Sequence, residues 1–115
     1  MNILLIDDEK SFHNILNILS KQFGFNAFLC SDLNNVKNII EKYVIDIALI
    51  DINLPTCSGD QIITYIKNHS PKTLCYLFTS DFSKIHLYKK LVEGYIEKDK
   101  LVVKLPKILE NNEKK

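Results

Sequence analysis

The run Ile47-Ala48-Leu49-Ile50 drives straight into Asp51, and Pro55 stops the chain four residues later. No other stretch limits the possible folds as much. Ile45 to Ile50 show no polar alternation apart from Asp46, which reads as a strand buried on both faces, the kind found in parallel sheets. Pro55 cannot donate to a ladder and sets the backbone for a turn. Asp51 is thereby left at the carboxyl end of a central strand, where open α/β sheets place their ligands and chemistry. A lone carboxylate there is a candidate nucleophile or metal ligand.

The same logic recurs along the chain. Ile3-Leu4-Leu5-Ile6 is a buried strand that runs into Asp7-Asp8-Glu9. Phe12, Ile15, Leu16, Leu19 and Phe23 then fall on one helical face, with Gly24 placed to cap the end. Phe25 to Leu29 reads as a second strand. Ser31 or Asp32 caps a helix that carries Leu33, Val36, Ile39, Ile40 and Tyr43 inward. After Pro55 comes a helix marked by Ile62, Ile63 and Ile66, which ends before Pro71. Leu74 to Phe78 is a fourth strand and delivers Thr79 and Ser80 to the same edge. Ser83 is placed to cap a fourth helix with Ile85, Tyr88, Leu91 and Val92 inward, stopped by Gly94. Tyr95-Ile96-Glu97 is a short fifth strand ending in Lys98. Leu101, Val102, Leu105, Ile108 and Leu109 have helical spacing around Pro106, so this helix is either kinked or begins near Leu105. The polar tail 111–115 is expected to fray.

Five alternating strand and helix units predict an α/β, flavodoxin-like, doubly wound five-stranded parallel sheet of order 2-1-3-4-5 with flanking helices. At 115 residues the chain suits one domain, 1–115, with no output domain in it. A net charge of +1 argues against nucleic acid or an anionic membrane as an electrostatic partner. All 15 basic residues are lysine, so no arginine fork exists for phosphate. Three cysteines without metal-ligand spacing read as reduced, small apolar residues. The apolar run after Met1 is too short for a signal peptide or a membrane span, and a cytoplasmic location is expected.

Strand ends thus bring Asp7, Asp8, Asp51, Thr79 and Lys98 to one edge. Carboxylates packed together repel, and such a cluster is expected to hold a cation or shift its titration. A hard, partly hydrated ion such as Mg²⁺ suits two carboxylates and a backbone carbonyl. A phosphoryl group could join it at Asp51. The ion would meet one phosphoryl oxygen, the Thr79 hydroxyl a second and the Lys98 ammonium a third. Glu9 is read as a cap for the helix that follows it. His13, His69 and His86 read as surface residues without an acidic or cysteine partner at ligand spacing.

With these residues in view, the chain resembles the receiver domain of two-component response regulators. The acidic cluster after the first strand, Asp51 with Asn53, Pro55 and Gly59, Thr79 after an apolar strand, and Gly94 to Asp99 carry the likeness over essentially the whole chain. The resemblance implies a bacterial phosphorelay protein whose Asp51 accepts phosphate, with Asp8 and Asp51 binding Mg²⁺. Asn53 would add its backbone carbonyl and Asp7 would act through water. It implies Thr79 as the switch hydroxyl, Lys98 as the phosphate-contacting amine, and Tyr95 as an aromatic that turns inward. A partly buried, stationary Tyr95 is the simpler reading of the residue itself. Implied partners are a histidine kinase or histidine phosphotransfer protein and a downstream protein at the face of the fourth helix, fifth strand and fifth helix. A phosphorylation-dependent dimer is also implied, with no catalysis beyond the switch's own phosphorylation and dephosphorylation.

Departures from the family pattern are localised. Thr79 and Lys98 stand 98 − 79 = 19 positions apart. That is about three fewer than is usual, so the fourth helix or its loops must be short. Asp99 replaces a common proline, and Ser80 a common alanine. Two rivals share these residues: a receiver-like adaptor that binds partners without phosphorylation, and a metal-dependent phosphohydrolase with an aspartyl nucleophile. The hydrolase commonly needs a second acid where Asn53 stands. A flavodoxin-type cofactor binder is disfavoured, because Asp7-Asp8-Glu9 would repel its phosphate.

Overall fold

The computed structural model describes residues 1–113. Its elements are β1 (Asn2–Ile6), α1 (Lys10–Phe23), β2 (Asn26–Cys30), α2 (Leu33–Lys42), β3 (Ile47–Ile50) and α3 (Gly59–His69). They continue with β4 (Leu74–Thr79), a 3₁₀ turn (Phe82–Lys84), α4 (Ile85–Tyr88), β5 (Gly94–Glu97), a second 3₁₀ turn (Lys98–Lys100) and α5 (Leu101–Glu113). The sheet is parallel with strand order β2-β1-β3-β4-β5, the expected doubly wound topology.

Strand alternation explains why the central strands lack polar residues. Leu4, Ile6, Ala48 and Ile50 enter one core with Val36, Ile62 and Ile66 of α2 and α3. Ile3, Leu5, Ile47 and Leu49 enter the opposite core with Leu16 and Leu19 of α1 and Leu101, Leu105 and Leu109 of α5. Both faces are covered, so every side chain of β3 is buried. Each such Ile or Leu contributes about 1.5–3 kcal/mol relative to exposure. The register Ile6↔Ile50 aligns the ends of β1 and β3, which sets Asp7 beside Asp51.

Local chemistry accounts for the helix ends. Gly24 takes φ 74° and its N–H donates to Ser20 O, the left-handed stop expected of glycine. Asp32, of the two candidate caps, accepts from Asn35 N at 2.8 Å. Ser58 and Gln61 form a reciprocal capping box on α3. The last helix resolves the Pro106 alternatives: it starts at Leu101 and passes through Pro106. The proline removes only the bond to the carbonyl of Val102, an exposed residue. Of the tail, 111–113 continue this helix, while 114–115 lie outside the described residues.

Several expectations fail at element ends. Phe23 and Tyr43 close α1 and the α2 segment and are largely exposed, because the sheet no longer lies beneath them. Tyr43 instead packs on Phe28, with ring centroids 4.6 Å apart. Ser83 caps nothing; Asp81 accepts from Ser83 N at 3.0 Å and starts a 3₁₀ turn. The fourth helix proper is one turn, Ile85–Tyr88, which leaves Leu91 outside it and exposed. His13 is half-buried, with Nε2 2.7 Å from Asp7 O, so it is not a free surface residue. Among the described residues no helix is long and apolar enough to cross a membrane.

Candidate functional site

The carboxyl edge of the sheet gathers the acids as their strands dictate. Asp7, Asp8 and Asp51 each offer a carboxylate oxygen within 4.8 Å of the others. Asp7 and Asp51 are buried and Asp8 is exposed, so the group opens to water on one side. Asp8, Glu9, Asp51, Asn53, Ser80, Asp81 and Lys98 line a cleft of about 400 Å³. The Asp51 carboxylate is fixed by its own loop, for Oδ1 accepts from Asn53 N at 2.9 Å. In the same way Asp7 Oδ1 accepts from Glu9 N at 2.9 Å. Asp7 and Asp51 each give one oxygen to their own turn and direct the other, Oδ2, to Lys98.

Lys98 fills the space between them. Its Nζ lies 2.9 Å from Asp7 Oδ2, 3.2 Å from Asp51 Oδ2 and 3.3 Å from Glu9 Oε1. Lys98 is 8% exposed. Burial alone would lower its pKa, but contact with Asp7 and the charges of Asp51 and Asp7 outweigh that and hold it up at about 12. A buried cation needs such partners.

Glu9 was not among the expected site residues. It occupies the position before α1, yet its side chain makes no capping hydrogen bond and turns to Lys98. The signal was present as a third consecutive acid, but an acid at a helix start is ordinarily explained by the helix dipole.

Thr79 reaches the edge and is fully buried. Its Oγ1 accepts from Asp81 N at 2.9 Å and donates to Asp81 O at 3.2 Å, so both bonds stay in its own loop. Tyr95 is 42% exposed, contrary to the partly buried reading. Its ring meets Phe82 edge-on at 6.3 Å and carries Lys104 Nζ over its face at 5.2 Å. Asn53 is exposed at the cleft mouth, where Lys84 Nζ reaches its Oδ1 at 3.4 Å. The structure thus brings Asp7, Asp8, Asp51, Asn53 and Lys98 together, with Thr79 behind them and Tyr95 on the outer surface.

The donor set suits a hard cation. Asp7 Oδ2 is buried and is met by the Lys98 ammonium in an ion pair at 2.9 Å. Three carboxylates with oxygens within 4.8 Å of one another, one of them exposed, are a donor set that fits an oxygen-ligated ion such as Mg²⁺.

Comparison with known proteins identifies the family. Residues 3–110 match the family model of the response regulator receiver domain. The sensor kinase/phosphatase CqsS of Vibrio cholerae is 31% identical over 94 residues, covering 68% of this chain. The chain spans 14% of that kinase's length. Among solved structures, the response regulator TrrA of Thermotoga maritima, in complex with Mg²⁺-BeF, superposes with TM-score 0.83 at 18% identity, covering 96% of each chain. The receiver domain of a Pseudomonas aeruginosa sensor histidine kinase, which has a magnesium ion in its active-site cleft, gives TM-score 0.82 at 18% identity. It covers 96% of this chain and 94% of that one. With the family model matched along nearly its whole length, the chain belongs to the response regulator receiver domains of two-component systems.

Proposed function

We propose that the chain is a phospho-acceptor switch, in which Asp51 takes a phosphoryl group from a histidine kinase or histidine phosphotransfer protein. The observation that carries this reading is Lys98 lying 3.2 Å from Asp51 Oδ2 and 2.9 Å from Asp7 Oδ2. One carboxylate held between a fixed ammonium and a metal-ready acid pair can accept a transferring phosphoryl group.

The Asp51 Oδ attacks phosphorus in line as the phosphorus–nitrogen bond of the donor breaks, and the leaving imidazole keeps the electron pair. Lys98 offsets the charge on the equatorial oxygens. Asp8 and Asp51 would hold Mg²⁺ with the Asn53 carbonyl, and Asp7 would act through water. When bound, the ion would supply charge neutralisation. Thr79 would leave Asp81 to donate to a phosphoryl oxygen. Water later attacks phosphorus and frees Asp51, so the chain catalyses only its own switching, and does so in the cytoplasm.

The output partner is a protein that docks on α4, β5 and α5. Phe82, Leu87, Leu91, Tyr95, Val102 and Val103 leave apolar surface exposed there, the kind of surface that marks an interaction site. The test is intact mass after incubation with a small phosphodonor. A gain of one phosphoryl group that needs Mg²⁺ and vanishes in Asp51→Asn is expected. No gain in the folded protein would refute the proposal and favour an adaptor.

A further inference from the structure

Three acids explain why Lys98 is charged but not why its ammonium stays between them. The opposite side of the ammonium is aromatic. Phe12 of α1 and Phe78 of β4 meet edge-on with centroids 5.1 Å apart. Lys98 Nζ lies 5.2 Å from the Phe12 centroid and 5.6 Å from that of Phe78. A ring face attracts a cation without accepting a directed hydrogen bond. The N–H donors are therefore left for Asp7, Asp51 and Glu9, which all lie within 3.3 Å.

We infer that Phe12 is a positioning residue for Lys98, its ring closing an aromatic cradle that aims the ammonium at Asp51. The cradle is built from separate parts of the chain. Phe78 is fully buried in the core beneath α1, while Phe12 is half-buried at its rim. Replacing Phe78 would disturb the core. Phe12, partly exposed at the site's edge, can be changed with less loss of core packing.

The kinetic part of the test rests on the phospho-acceptor reading, and the exchange part does not. Phe12→Leu keeps an apolar side chain but removes the ring face, and Phe12→Tyr keeps the face. Phosphoryl uptake from a small phosphodonor with Mg²⁺ is expected to slow about 3- to 10-fold in Phe12→Leu, because Phe78 retains part of the attraction. Phe12→Tyr should restore it. In a Lys98→Met background Phe12→Leu should cost nothing further, since the two act as one unit. In ¹⁵N-lysine-labelled protein, hydrogen exchange at the Lys98 ammonium should quicken in Phe12→Leu and not in Phe12→Tyr.

Equal slowing by Phe12→Leu with and without Lys98 would overturn the inference by making Phe12 merely structural. Unchanged ammonium exchange in Phe12→Leu would overturn it too. If the unmodified protein takes up no phosphoryl group, the phospho-acceptor reading fails and the exchange measurement alone decides the role of Phe12.

Discussion

Lys98→Met removes a buried cation from between two buried acids and keeps most of the aliphatic stem. Asp7 is 0% exposed and Asp51 3%, so water cannot replace the ammonium on both. Carboxylate oxygens within 4.8 Å of each other repel by about 3.5 kcal/mol or more at an effective dielectric of about 20. Breaking a buried ion pair on one side costs about 3–5 kcal/mol. The two routes agree, and a loss of about 3–4 kcal/mol at neutral pH is expected. A domain with about 5–15 kcal/mol of stability still folds after that loss.

The penalty has a signature that packing loss lacks. Mg²⁺ should stabilise the variant more than the parent, since no ammonium competes for the acids. The chain has no tryptophan, so urea unfolding followed by far-UV circular dichroism is the assay. A loss below about 1 kcal/mol, or one that Mg²⁺ does not reduce, would refute the reasoning.

Gly59→Ala gains helix propensity at the start of α3, but its Cβ would stand 3.0 Å from Ile52 Cγ2 and 3.3 Å from Ile52 Cα. Ile52 is buried next to Asp51 and cannot retreat without moving the site, so a net loss of about 1–3 kcal/mol is expected in the same unfolding assay. A neutral or stabilised variant would show that the loop yields. In alkali, burial pushes the Cys30 thiol from 9.0 to about 12 and the Cys75 thiol to about 11, while Lys98 stands at about 12 against 10.5. In each case the folded chain keeps its proton to higher pH than the unfolded chain. Stability is thus complete below pH 9, falls first as the thiols of the unfolded chain ionise, and falls further above 10.5 with Lys98. Cys30→Ala should make the decline above pH 9 shallower by about 1.4 kcal/mol per unit. Equal slopes with and without Cys30 would contradict this.

What could be read from the sequence was whatever a two-residue or 3.6-residue period imposes. Apolar runs ending in Asp7, Asp51 and Thr79 put those residues at one edge because a parallel sheet buried on both faces admits no other polar position. Less legible was anything decided by side chains from different elements meeting. Glu9 looks like a helix cap until Lys98, 89 positions away, is seen to be nearer than the helix N–H groups. Phe12 fits the core pattern of α1, and only the fold reveals the cation over its ring. Ser83 looked like a cap because capping oxygens are interchangeable in sequence, and Asp81 takes the place two residues earlier.

The short segment between Thr79 and Lys98 links the site to the proposed output face through few parts. Thr79 Oγ1 is bonded to Asp81 N and O. The Asp81 carboxylate in turn accepts from both Ser83 N and the Ser83 hydroxyl, which fixes the turn that holds Phe82. Phe82 meets Tyr95, and Tyr95 carries Lys104 of α5 on its ring. With α4 reduced to one turn, no longer helix absorbs a shift of this loop. Drawing the Thr79 hydroxyl toward a phosphoryl group on Asp51 would have to release Asp81 first, and that release alters the support of Phe82. Under the proposed function, the contact between Phe82 and Tyr95 is where a change at Asp51 first alters the exposed apolar face.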